Sequence, residues 1–181
     1  MQILGLSGSL RKHSFHAGIL RAAKELLPKD IDFYTFDLGK LPLFNQDLEV
    51  NMPREVQEFK SAARKADAIL FASPEYNHSI SGVLKNAIDW ASRPPNDNVF
   101  DGKVAAIASA STGAFGGIRA QYHLRQVFVY LDIHAVNRPQ IAIPFADQKF
   151  DKEGNLIDEK AREGLKELLN ALIALTSKLK K

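Results

Sequence analysis

The sequence predicts a doubly wound α/β domain built on a mostly parallel sheet. Three features predict it. Short, nearly all-apolar runs such as Gln2-Ile3-Leu4-Gly5-Leu6-Ser7 and Ala68-Ile69-Leu70-Phe71-Ala72-Ser73 have the composition of parallel strands covered on both faces. Between them, apolar residues recur at helical spacing, so strand and helix alternate along the chain. The loops richest in glycine, proline and hydroxyl residues all follow strands, which is the end of an open α/β sheet where ligands sit.

Taken in order, residues 2–7 form the first strand and Phe15, Ile19, Ala22, Ala23, Leu26 and Leu27 mark a helix from 14 to about 27, with Pro28 just beyond it. Residues 31–36 alternate apolar with more polar side chains and are rich in β-formers, which predicts a strand near a sheet edge. The loop at 39–47 is unusually apolar; Leu43 and Phe44 either line a pocket or partner surface or pack beneath the loop. Pro53 suits a helix start, and Val56, Phe59, Ala62, Ala63 and Ala66 carry that helix through about residue 65. A continuous apolar strand at 68–73 ends at Pro74, whose ring pushes the preceding residue toward extended geometry. After the loop at 74–82, Val83, Leu84, Ala87, Ile88 and Trp90 place a helix through about residue 92, closed by Pro94-Pro95-Asn96-Asp97-Asn98. Residues 103–108 form another buried strand, 109–117 a third loop, and a helix follows to about 131. A last strand is expected over 133–143, with Pro139 making its second half irregular or an edge. The turn at 151–155 leads into a final amphipathic helix from about 158 to 179, for a total of five strands and five helices.

Composition narrows the function. At 181 residues and 45% hydrophobic content, the chain reads as a single domain over 1–181, able to bury roughly 70% of its unfolded surface. No apolar run approaches the ~20 residues of a membrane helix, and the N-terminus enters a strand without a basic, apolar and small-residue succession. A soluble, cytoplasmic protein with no membrane partner is expected. The absence of cysteine removes disulfides, thiolate metal sites and thiol redox chemistry, so any electron transfer requires a bound cofactor. The net charge of +3 comes from dispersed Lys and Arg without a basic stripe, which argues against nucleic acid as a partner. His13, His16, His78, His123 and His134 show no metal-ligand spacing with carboxylates, so no metal is expected.

Three loops carry the chemistry. In Gly8-Ser9-Leu10-Arg11-Lys12-His13-Ser14, backbone amides, the Ser9 and Ser14 hydroxyls and the Arg11 guanidinium gather at the positive end of a helix, an arrangement that stabilises a phosphate. It is neither a Walker A loop nor the G-x-G-x-x-G fingerprint, and its serine and arginine side chains suit a terminal monophosphate better than a buried pyrophosphate. The competing account is that Ser9 and Ser14 merely satisfy a turn and a helix cap. Pro74-Glu75-Tyr76-Asn77 offers a rigid turn, an aromatic face and amides suited to the edge of a flat, hydrogen-bonding heterocycle, or else is an ordinary turn. The third loop, Ser109-Ala110-Ser111-Thr112-Gly113-Ala114-Phe115-Gly116-Gly117, lets the backbone approach a ligand closely, unless its glycines serve only flexibility. His78 near this pocket either supplies a proton or bonds only to its own loop.

These residues resemble the NADPH-dependent FMN reductase family of flavodoxin-like proteins, particularly its chromate and quinone reductase branch. The resemblance spans nearly the whole chain and rests on Gly8-Ser9-Leu10-Arg11 with Ser14, on Pro74-Glu75-Tyr76-Asn77, on Gly82-Val83-Leu84-Lys85-Asn86-Ala87-Ile88-Asp89-Trp90, and on Gly116-Gly117 with Arg119 and Gln121-Tyr122-His123-Leu124-Arg125-Gln126. It implies a flavodoxin-like five-stranded parallel sheet in the order 2-1-3-4-5 with helices on both faces. It also implies FMN phosphate held by Ser9, Arg11 and Ser14, a flavin ring framed by Pro74, Glu75, Tyr76 and Asn77, and Ser111 with Gly113 on the ring's other side. His16 stands where the family usually has asparagine in the phosphate motif, and an imidazole can donate the same bond; Ser81 stands where a proline is common, a change expected to loosen the loop.

By the same resemblance, NADPH or NADH is the co-substrate and passes hydride to the flavin. A small-molecule acceptor then takes the electrons: a quinone, an azo compound, a metal oxyanion such as chromate, or free flavin. No catalytic side chain is implied. Family members form dimers or dimers of dimers, so a homo-oligomer is expected, with Leu43, Phe44, Trp90 and Tyr122 as residues that could face a partner subunit. The rival reading is a flavodoxin-type one-electron carrier without nicotinamide turnover; Arg11, the basic balance and the Pro-Glu-Tyr-Asn loop favour the reductase.

Overall fold

The protein is described here by a computed structural model covering residues 1–180. The strand β1 (Gln2–Ser7) pairs in parallel with β2 (Asp32–Phe36) on one side and β3 (Ala68–Ser73) on the other. The strand β4 (Val104–Ala110) continues the sheet beside β3 and carries two short final strands, β5 (His134–Ala135) and β6 (Ile141–Ile143). The order β2-β1-β3-β4-β5, with β6 also on β4, is the flavodoxin-like order.

Helices cover both faces, which is why β3 and β4 are buried along their whole lengths. Alternation along the strands divides the core. On one face, Ile3, Leu70, Ala72, Ala106 and Ala108 pack against α1 (Phe15–Leu26) and α5 (Glu159–Leu179). On the other, Leu4, Leu6, Ile69, Phe71 and Ile107 pack against α2 (Arg54–Lys65), α3 (Gly82–Ala91) and α4 (Ile118–Leu131). The predicted edge strand is β2, whose burial is mixed because one of its sides has no neighbour.

Two expectations are corrected. The predicted strand at 133–143 is two short strands instead of one, because Pro139 has no N–H to donate to the ladder and the backbone leaves β4 around it. Trp90 cannot face a partner: it is fully buried, its Nε1–H donates to the Pro42 carbonyl at 2.8 Å, and the Phe44 ring packs on its edge at 5.0 Å. Asn86 completes this anchor, donating to Pro42 O at 2.9 Å and accepting from Phe44 N at 2.7 Å. The apolar loop is therefore tied down onto α3, leaving Leu43 outside with 83% of its surface exposed.

Ser81 caps α3. Its buried hydroxyl accepts from Leu84 N at 3.2 Å, so the departure from proline exchanges a fixed ring for a helix-capping hydrogen bond.

Candidate cofactor site

The switch in strand order, β1 running one way to β2 and the other way to β3, places the loops after β1, β3 and β4 side by side at the carboxyl end of the sheet. Ser14 is the N-cap of α1: its hydroxyl oxygen accepts from His16 N at 3.1 Å and Ala17 N at 3.4 Å. The Ser9 hydroxyl accepts from Arg11 N at 3.5 Å. Each oxygen serves as an acceptor, so each O–H is left to donate, which suits an acceptor-only anion. Arg11 carries no carboxylate partner among the described residues, and its guanidinium lies 5.4 Å from the Phe15 ring centroid.

Close packing of the first two loops requires glycine at position 8. A Cβ there would lie 2.7 Å from Pro74 Cδ and 2.9 Å from Ser81 Oγ. Past Pro74, Tyr76 N donates to Ser79 O at 2.9 Å and Ser79 N returns a bond to Tyr76 O at 3.0 Å. The residues between, Asn77 and His78, both have left-handed backbones (φ 50° and 62°), as in a type I′ turn, with asparagine and histidine in place of the usual glycine. This leaves Tyr76 about half exposed at the mouth.

The Glu75 carboxylate clasps the start of α4. It accepts from Arg119 N at 2.9 Å, Ala120 N at 3.3 Å and the Arg119 guanidinium at 3.1 Å. Burial alone raises the Glu75 carboxyl, but these hydrogen bonds outweigh it and hold it below its ordinary value. The Arg119 guanidinium in turn lies over the Phe115 ring, 4.4 Å from its centroid. A second link joins the same elements, His123 Nδ1 to Ser79 Oγ at 3.0 Å.

The third loop is held from behind by the final strands. Ser111 N donates to Ile143 O and Ala146 N donates to Ser111 O, both at 3.0 Å. Gly116 has φ 59°, and a Cβ on it would stand 2.6 Å from the Ala142 carbonyl carbon, so no larger residue fits. Beneath, the buried Gln121 amide donates to Ser109 Oγ and Ile141 O, each at 2.8 Å, while Ser109 Oγ donates to Gly116 O at 2.7 Å.

These loops enclose a cavity of about 160 Å³. Ser9, Arg11, Ser14 and His16 line it from the first loop and α1, Pro74, Glu75 and Tyr76 from the second loop, and Ser111 from the third. Asn77 and Gly113 do not line it; both are exposed in their loops. Phe15, Ala110 and Thr112 complete the wall. The motif reading did not single out Phe15, although it neighbours Ser14. Local sequence gives Arg119 and His123 no role beyond the family pattern, because their links to Glu75 and Ser79 join residues 44 positions apart. The cavity adjoins an open groove of about 630 Å³ between α1 and β2, whose lining also includes Ser9 and Arg11.

His16 is the least expected member. The residue is 5% exposed, and its buried Nε2 has no hydrogen-bond partner. Burial, opposed in part by the Ala110 and Ser73 carbonyls and reinforced by Arg11, brings its pKa down to about 4. The imidazole is therefore neutral at pH 7.

An open parallel sheet with three convergent loops at its switch point is a flavodoxin-like scaffold, and those loops form its candidate cofactor site. The sequence profile of the NADPH-dependent FMN reductase family matches residues 1–148, and the chain belongs to that family. It is 49% identical to an NAD(P)H-dependent FMN reductase of Pseudomonas aeruginosa over 95% of this chain and 93% of that one. It is 51% identical to an NADPH:quinone oxidoreductase of Arabidopsis thaliana, covering 99% of this chain and 93% of the plant protein. Among solved structures, the flavoenzyme NAD(P)H:(acceptor) oxidoreductase of Paracoccus denitrificans superposes with a TM-score of 0.89 at 31% identity, covering 98% and 97% of the two chains.

Proposed function

We propose that this chain is an FMN-dependent NAD(P)H oxidoreductase that reduces quinone-type acceptors, with the cavity between the three loops as the seat of the flavin phosphate. The observation that carries the reading is the donor set in that cavity: the Arg11 guanidinium, which has no carboxylate partner among the described residues, and two hydroxyls whose oxygens are already accepting. All are donors or can become so, and an acceptor-only phosphate satisfies them together. At about 160 Å³ the cavity suits the phosphate end of FMN and leaves the flavin ring to the open rim at Tyr76, Asn77 and Gly113. When bound, FMN supplies the redox chemistry, taking hydride from the reduced nicotinamide and returning electrons to the acceptor.

The chain's own task is placement. The N-terminus of α1 and Arg11 oppose the phosphate charge, Ser9 and Ser14 orient it, and Pro74 fixes the second loop against Gly8. Glu75 and Ser79 hold that loop to α4, so the slot between the second and third loops keeps its width. The exposed Leu43, Tyr122, Val129 and Tyr130 support a homo-oligomer, dimer or tetramer, which light scattering after gel filtration checks. Among the described residues no helix is long and apolar enough to cross a membrane, which is compatible with a cytoplasmic enzyme.

Steady-state oxidation of NADPH and NADH by FMN-loaded protein with a quinone acceptor tests the reading. Turnover dependent on both FMN and quinone is expected. A yellow protein without nicotinamide turnover would make it an electron carrier of the flavodoxin type instead.

A further inference from the structure

We propose that the groove between α1 and β2 takes the adenylate half of FAD, so that this chain binds FAD as well as FMN at one flavin site. The inference rests on the reading of the small cavity as the FMN phosphate site. FAD is FMN with adenosine monophosphate joined to that phosphate, so the added group must leave the cavity beside the residues that hold the phosphate. Ser9 and Arg11 line both the cavity of about 160 Å³ and the groove of about 630 Å³. A substituent on a phosphate held by these two residues therefore passes directly from one space into the other. The groove alone lies within the ordinary size range of small-molecule pockets, roughly 300–1,000 Å³.

The groove's lining has the chemistry such a group needs. Leu20 and Phe33, buried in the core between α1 and the sheet, give it an apolar floor. Leu10 stands in the phosphate loop with 57% of its surface exposed, and it lies against Gly39, where an added Cβ would be 3.1 Å from Leu10 Cδ2. An exposed leucine between the phosphate loop and the turn Leu38–Lys40 offers an apolar face to a planar base, and the exposed Thr35 adds a hydroxyl. The charge is one-sided. Arg11, Arg21, Lys24 and Lys40 line the groove against a single carboxylate, Asp37, which already accepts from Gly39 N at 3.0 Å. Arg21 is held by Asn155 Oδ1 and by the Glu153 and Gly154 carbonyls. Arg11, Lys24 and Lys40 have no carboxylate partner among the described residues. Free cations around an apolar floor suit an anionic aromatic compound. A nicotinamide dinucleotide shares that chemistry, but continuity with the phosphate cavity at Ser9 and Arg11 favours a group bonded to the flavin phosphate itself.

FMN and FAD are titrated by calorimetry into flavin-free full-length protein, as wild type and as two variants. Thr35→Trp fills the groove from β2 with a residue that strands accept readily, and a Lys24→Glu, Lys40→Glu double variant reverses charge on its rim. None of these three residues lines the small cavity. FMN and FAD carry similar negative charge, so long-range attraction acts on both alike and the ratio of their Kd values reports the groove. Wild type is expected to bind FAD no more than about tenfold more weakly than FMN, and each variant to raise the FAD-to-FMN ratio of Kd by about tenfold. FAD binding weaker than that in wild type, or a ratio unchanged in the variants, overturns the proposal. Should Thr35→Trp not fold, the charge-reversal variant decides. A protein that binds FMN but not FAD, and whose variants raise the KM for NADPH, assigns the groove to the nicotinamide nucleotide and overturns the proposal. A wild type that binds neither flavin removes the cofactor reading together with this inference, whereas FMN binding without FAD binding removes only the inference.

Discussion

Replacing Glu75 with alanine tests the idea that the second loop is held by the helix beside it. The substitution removes an acceptor for Arg119 N, Ala120 N and the Arg119 guanidinium. Losing a side-chain cap costs about 0.5–2 kcal/mol. The ion pair adds at most about 1 kcal/mol, because Arg119 retains 38% side-chain exposure even though Glu75 retains only 10%. Together these amount to about 0.5–3 kcal/mol, which for a chain of this size lowers Tm by roughly 1–12 °C. The carboxyl is held below its ordinary value in the folded state. Its stabilisation is therefore fully present above the unfolded pKa and is lost as pH falls through the folded one. Thermal melts of flavin-free wild type and E75A should differ by that amount at pH 7 and converge at low pH. Equal melting temperatures at pH 7, or a gap that persists unchanged at low pH, would refute the assignment of Glu75 as a clasp.

Arg11→Ala should weaken FMN binding by tenfold or more while changing riboflavin binding little, as read by flavin fluorescence; equal losses for both flavins would contradict a phosphate contact. Gly8→Ala forces a methyl to 2.7 Å from Pro74 Cδ and is expected to destabilise by about 1–3 kcal/mol in chemical denaturation, with loosened flavin retention. Trp90→Phe removes the donor to Pro42 O, and a loss of about 1–2 kcal/mol should accompany faster proteolysis of the loop at 41–44; an unchanged cleavage rate would count against the anchor. His78→Gly relieves a left-handed residue and should raise stability by up to about 1 kcal/mol in the same denaturation assay.

The parts of the fold that were legible in the sequence are those whose burial is extreme. The β3 and β4 segments are apolar throughout because helices cover both faces, and Ser14 announced the start of α1 because its hydroxyl caps it. The final strand was legible only in outline. Pro139 signalled an interruption, but where the chain rejoins β4 depends on register with Ala108 to Ala110, which no local pattern encodes. The candidate site was legible as loops. Eight of its ten predicted residues line one cavity because strand order brings the loops together. The direction of individual side chains was not: Glu75 turns to α4 because unpaired amides await it there, and Trp90 turns inward to a carbonyl 48 residues away. The left-handed pair Asn77 and His78 was hidden as well, since a turn of this type ordinarily advertises itself with glycine.

The central claim is that the three loops hold an FMN that NAD(P)H reduces. An anaerobic titration of the purified, FMN-loaded protein with NADPH, followed in the visible spectrum and completed by adding a quinone, measures this most directly. The account predicts stoichiometric bleaching of the flavin by the nicotinamide and full return of colour with the quinone. A protein that keeps no flavin, or whose bound flavin stays oxidised in excess NADPH and NADH, contradicts it.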